Sequence, residues 1–129
     1  MSTAKKPTAA NLVWFEIPAE KLDRAKSFYG KLFGWKINPM PGMGDYLHID
    51  TGGGNDTPDG ALMARKCPEH PVTIYINVTS AARSAAKVEK LGGKICMAKT
   101  AVPGMGYFVI CQDTEGNAFA LWERNGQAK

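Results

Sequence analysis

The sequence predicts an α+β fold of two tandem βαβββ modules along a chain of 129 residues. Three observations carry this. The chain repeats itself: Pro41-Gly42-Met43-Gly44 returns as Pro103-Gly104-Met105-Gly106, each followed closely by a tyrosine, Tyr46 or Tyr107. Ordered matches flank both copies, residues 32–37 with 91–95 and Asp56-Thr57 with Asp113-Thr114, all at an offset of about 60 residues, the mark of a duplicated structural unit. Within each copy a strand-period run, a helix-period run and three further short apolar runs follow in one order, and Gly and Pro clusters punctuate them.

The first module takes residues 11–65. Residues 12–17, Leu-Val-Trp-Phe-Glu-Ile, read as a strand that Pro18 ends. Residues 20–33 carry Leu22, Ala25, Tyr29 and Leu32 at helical spacing, with Phe28 and Phe33 beside them, so the whole apolar set is expected between helix and sheet. Gly34 is a natural helix end because glycine adopts positive φ freely. Residues 35–38 form a short strand and 39–44 a Pro/Gly turn. Over 45–50, Tyr46 and His48 alternate with Leu47 and Ile49, a half-buried strand. Residues 51–59 read as a flexible loop and 60–65 as a fourth strand.

Residues 66–71 link this to the second module, 72–124. Its first strand is 72–78. Ser80 caps a helix that runs through 91, with Ala81, Ala85, Val88 and Leu91 inward and Gly92-Gly93 ending it. Strands follow near 94–98, 106–111 and 117–123.

Size and composition fit one globular domain over 11–124, with 44% hydrophobic and 22% charged residues. Residues 1–10 are polar and are expected to form a loose tail. No apolar run is long enough for a membrane span, and the start lacks a secretory h-region. The net charge of +4 is scattered rather than gathered in a stripe, which argues against nucleic acid as a partner. Cys67, Cys96 and Cys111 are odd in number and form no C-x-x-C pair. That usage points to free thiols in the reducing cytoplasm.

Two stretches carry a family resemblance. One is Arg24-Ala25-Lys26-Ser27-Phe28-Tyr29-Gly30-Lys31-Leu32-Phe33-Gly34-Trp35. The other is the ending Asp113-Thr114-Glu115-Gly116-Asn117-Ala118-Phe119-Ala120-Leu121-Trp122-Glu123. With Phe15-Glu16-Ile17-Pro18 and Leu91-Gly92-Gly93-Lys94, they make residues 11–124 resemble the vicinal oxygen chelate superfamily. That group holds glyoxalase I, bleomycin-resistance proteins and extradiol dioxygenases, and the likeness is to a bacterial glyoxalase-like branch. The resemblance implies curved mixed sheets around a cup, and a homodimer as the assembly. It also implies metal ligands on the first and last strand of each module. Here those positions hold Trp14, Met63, Thr73 and Ala120. Divalent ions take carboxylate, imidazole or thiolate, so no metal and no cofactor are expected.

The remaining polar and aromatic residues of inward strand parity define the candidate site. Glu16 and His48 are the acid–base candidates. For Glu16 the alternative is a strand-end carboxylate paired with a lysine, and for His48 a satisfied strand histidine. Trp14, Tyr46, Thr73, Tyr75, Asn77 and Trp122 are the expected ligand contacts, forming an apolar, stacking lining for a planar small molecule. Glu123 falls on the opposite parity and is expected to be structural or exposed, unless a frayed strand end turns it inward.

The function that follows first is metal-independent binding of a small molecule held in the cup, as in bleomycin-resistance proteins. The second is a lyase- or isomerase-type enzyme using Glu16 or His48. The third is a non-catalytic dimeric structural or regulatory module.

Overall fold

A computed structural model describes residues 9–129. Of the expected tail only Ala9 and Ala10 are among them. Both precede the first strand and are exposed. The chain divides into two compact units. One spans 13–73, and the other combines 74–129 with residues 9–12.

In the first unit, β1 (Leu12–Ala19), α1 (Leu22–Phe33), β2 (Lys36–Pro39), β3 (Tyr46–Asp50) and β4 (Asp59–Ala64) follow in the predicted order. The strands lie side by side as β2-β3-β4-β1. The β2–β3 and β3–β4 pairs are antiparallel and β4–β1 is parallel, with Glu16 opposite Ala61. β1 does not stop before Pro18. Pro18 pairs with Met63 inside the strand. Its carbonyl accepts from Arg65 Nη2 and that of Ala19 accepts from the Arg65 backbone N–H. An extended φ is all that proline demands of the chain here.

α1 ends as the sequence predicts. Gly34 turns left-handed at φ 72° and its N–H bonds to the Gly30 carbonyl. The helix meets the sheet through Leu22, Ala25 and Tyr29, which pack with Phe15, Ile17 and Trp35 on a core of Ile37, Leu47, Ile49 and Leu62. The expectation that the entire apolar set is buried fails: Phe28, Leu32 and Phe33 are each more than half exposed. At 100° per residue, Phe28 and Leu32 lie to one side of the Leu22–Ala25–Tyr29 line. Phe33 occupies the last turn, its ring 4.9 Å from Trp35. The loop at 51–59 is more ordered than expected. It contains a 3-10 turn over Gly54–Asp56, and Asp59 already belongs to β4.

The second unit repeats the order with β5 (Thr73–Asn77), α2 (Ala81–Lys90), β6 (Lys94–Val102), β7 (Gly106–Gln112) and β8 (Ala118–Arg124). Its strands are arranged β5-β8-β7-β6, parallel at β5–β8 and antiparallel elsewhere. The Ser80 side chain accepts from the Arg83 N–H, as the capping prediction requires. Glu123 Oε1 accepts from the Ala81 N–H at 2.9 Å, a carboxylate at the positive end of α2. Of the two readings that strand parity left for it, structural or exposed, this bond favours the structural one. β6 is longer than expected because register shifts after Ile95 and Met97 let it continue pairing with β7 up to Val102. The core here is Ala81, Val109, Cys111 and Leu121.

The repeated Pro-Gly-Met-Gly forms the same turn in both units. The Met43 N–H bonds to the Met40 carbonyl and the Met105 N–H to the Val102 carbonyl, with φ 75° at both Gly42 and Gly104. Proline at the first central position and a left-handed glycine at the second is type II turn chemistry.

Candidate functional site

β1 and β3 each place alternate side chains on the face of the first unit's sheet that turns away from α1. Phe15 and Ile17 go to the helix-side core with Leu47 and Ile49. Trp14, Glu16, Tyr46 and His48 are left on the other face, all partly accessible. There they join. The Trp14 indole Nε1–H donates to the Tyr46 hydroxyl at 2.9 Å, and that hydroxyl donates to Glu16 Oε2 at 2.6 Å. The Trp14 and His48 rings stack with centroids 5.8 Å apart and 27° between planes.

A fifth member, Asp59, was missed from sequence. Its Oδ2 lies 3.3 Å from His48 Nε2. Its Oδ1 accepts from the Thr51 backbone N–H and hydroxyl. The signal was present: Asp59, Ala61 and Met63 share strand parity, but the Gly-rich stretch before Asp59 masked the start of β4. Glu16 has a further interaction beyond the Tyr46 bond.

The electrostatics are those of a partly dried hydrogen-bond relay. Burial, and then the neighbouring Glu16 carboxylate, hold the Tyr46 phenol well above its ordinary range. Tyr46 is therefore a neutral donor at any working pH and not a base.

The second unit presents its predicted residues differently. Thr73 (5% exposed) and Tyr75 (8%) are buried. The Thr73 hydroxyl contacts the Pro71 carbonyl and the Tyr75 ring lies 6.4 Å from Phe108. Asn77 pairs with Trp122, both partly accessible. Trp122 lies so close to Gly106 that a side chain at that glycine would meet its ring.

The positions at which the family places a metal are chemically unsuited to one. Trp14 uses its only polar atom as a donor to Tyr46. Ala120 has no donor atom, and Met63 and Thr73 supply a thioether and a hydroxyl. Among the described residues no three His, Cys, Asp or Glu side chains gather as a ligand set.

The two βαβββ units are of the kind found among glyoxalase- and bleomycin-resistance-type folds. A family model described as bleomycin resistance protein-like N-terminal matches residues 11–52. A glyoxylase-like domain-containing protein of Didymella fabae is 32% identical over 118 residues, covering 87% of this chain and 92% of that protein. The anthracycline biosynthesis protein DnrV of Streptomyces peucetius is 27% identical over 126 residues, and there the match spans 86% of this chain but 46% of the relative. A solved glyoxalase/bleomycin resistance protein/dioxygenase superfamily member from Vibrio splendidus superposes with a TM-score of 0.65 at 14% identity, covering 91% of this chain and 100% of that one. This chain belongs to the glyoxalase-like family of the vicinal oxygen chelate superfamily. Among the described residues, no helix is long and apolar enough to cross a membrane.

Proposed function

We propose that this protein binds a small planar molecule without a metal ion, on the sheet face that carries Trp14, Glu16, Tyr46 and His48. The observation that carries the reading is the Trp14–Tyr46–Glu16 hydrogen-bond chain. It occupies the first-strand position where the family's metal ligand is expected, and it locks two aromatic rings beside a carboxylate. Aromatic rings held by hydrogen bonds lose little freedom on binding, and their apolar faces supply stacking area. Three free cysteines, two of them exposed, fit a reducing cytoplasmic setting. A homodimer is part of the proposal, to be tested by light scattering on the purified protein.

The test is a thermal-shift screen of aromatic metabolites and drugs against protein treated with EDTA. A ligand selective for the folded state raises the melting temperature. Trp14→Ala should abolish that rise. A rise that appears only on adding a divalent metal would sink the reading.

A second reading, an isomerase- or lyase-type enzyme, is favoured by the His48–Asp59 contact. Asp59, itself fixed by Thr51, faces Nε2 and leaves Nδ1 as the nitrogen able to take a proton from substrate. Glu16 would serve as the partner acid or base, and Tyr46 would orient substrate as a hydrogen-bond donor. If a bound compound is turned over and His48→Gln stops turnover while binding persists, this reading replaces the first.

A further inference from the structure

On the opposite, helix-bearing side of the first unit's sheet, a cleft of about 490 Å³ opens between the end of β1, the start of α1 and Arg65. That volume lies within the range of small-molecule sites. Its charged lining is Lys21, Arg24 and Arg65 against a single carboxylate, Glu20. Among the described residues, no ion pair joins Lys21, Arg24 or Arg65 to a carboxylate. Arg65 is held rather than loose. Its Nη1 and Nη2 donate to the carbonyls of His70 and Pro18. Its Nε is buried with no hydrogen-bond partner. A partly buried guanidinium bonded only to neutral carbonyls retains uncompensated charge, which favours an anion nearby. The apolar wall of the cleft is Ile17, Tyr29 and Phe28, the last 59% exposed on α1.

We infer that this cleft is a second ligand site, taking a small organic anion whose carboxylate or phosphate head meets Arg24, Lys21 and Arg65 while an aryl or alkyl body lies on Phe28 and Tyr29. The site does not depend on the proposed function of the Trp14 face.

The test is an NMR titration of the full chain with phenyl phosphate, benzoate, inorganic phosphate and phenol, each alone. The expected result is saturable binding of phenyl phosphate or benzoate, with amide shifts centred on residues 19–29 and 65. Inorganic phosphate and phenol should each bind more weakly than phenyl phosphate, since each keeps one half of the recognition. Arg24 and Phe28 are exposed, so Arg24→Glu and Phe28→Ser should leave the rest of the amide spectrum intact. Arg24→Glu should weaken binding by roughly fivefold or more, and Phe28→Ser by roughly twofold or more. The inference is overturned if neither aryl anion saturates by roughly millimolar concentration. It is equally overturned if Arg24→Glu binds as well as the wild type, or if the shifts map to Trp14 and His48 instead.

Discussion

The Tyr46 hydroxyl sits between Trp14 and Glu16, accepting from the indole and donating to Oε2 of the carboxylate at 2.6 Å. One phenol therefore satisfies an indole N–H and a carboxylate oxygen at once, and tethers β3 to β1 across the intervening β4.

Tyr46→Phe removes both bonds while keeping the ring. The indole N–H loses its acceptor and Glu16 loses a short hydrogen bond. The expected loss of stability is about 1–3 kcal/mol, read as a lower urea midpoint with an unchanged slope.

Alkaline pH should destabilise the fold through the same residue. Burial, followed by Glu16, raises the native Tyr46 pKa above the ordinary 10.0. The unfolded chain releases this proton near 10 and the native chain does not. The stabilisation is therefore complete below about pH 10 and is lost progressively as the pH rises beyond it. Absorbance titration near the tyrosinate band should show a phenol that ionises only with unfolding. That component should disappear in Tyr46→Phe.

The two Pro-Gly-Met-Gly copies should respond unequally to alanine at their last glycine. Gly44 has φ 60° but open space around it, whereas a Cβ at Gly106 would fall 2.2 Å from the Glu123 carbonyl oxygen. Gly44→Ala should cost roughly 1 kcal/mol, from positive φ alone. Gly106→Ala should cost more, about 3 kcal/mol, because backbone must move. Equal costs in denaturant melts would contradict the packing of β7 on β8.

Glu123→Ala should destabilise by about 1 kcal/mol. The Ala81 N–H at the start of α2 would lose its carboxylate acceptor. Faster amide exchange confined to the first turn of α2 would locate the effect.

Periodicity made much of this fold legible. Alternation placed Leu47 and Ile49 in the core and Tyr46 and His48 opposite, and Gly34 and Ser80 marked helix limits that the structure shares. The errors have physical causes. Asp59 was lost because three consecutive glycines and a Pro precede it, and turn chemistry there outweighed strand parity. Phe28 and Leu32 were placed in the core because an apolar arc does not reveal how much of it a narrow sheet can cover. Parity assigns Thr73 and Tyr75 to a face without fixing their exposure, and both are nearly covered. The Trp14–Tyr46–Glu16 relay could not be read at all, since it depends on the distance between β1 and β3.

The central claim is metal-independent binding through Trp14. The most direct measurement is the melting temperature of EDTA-treated protein with a screened aromatic ligand, for wild type and Trp14→Ala. The account predicts a rise of several degrees in the wild type at ligand well above Kd, unchanged by added zinc or manganese and absent in the variant. A rise that requires the metal, or one that Trp14→Ala retains in full, would contradict it.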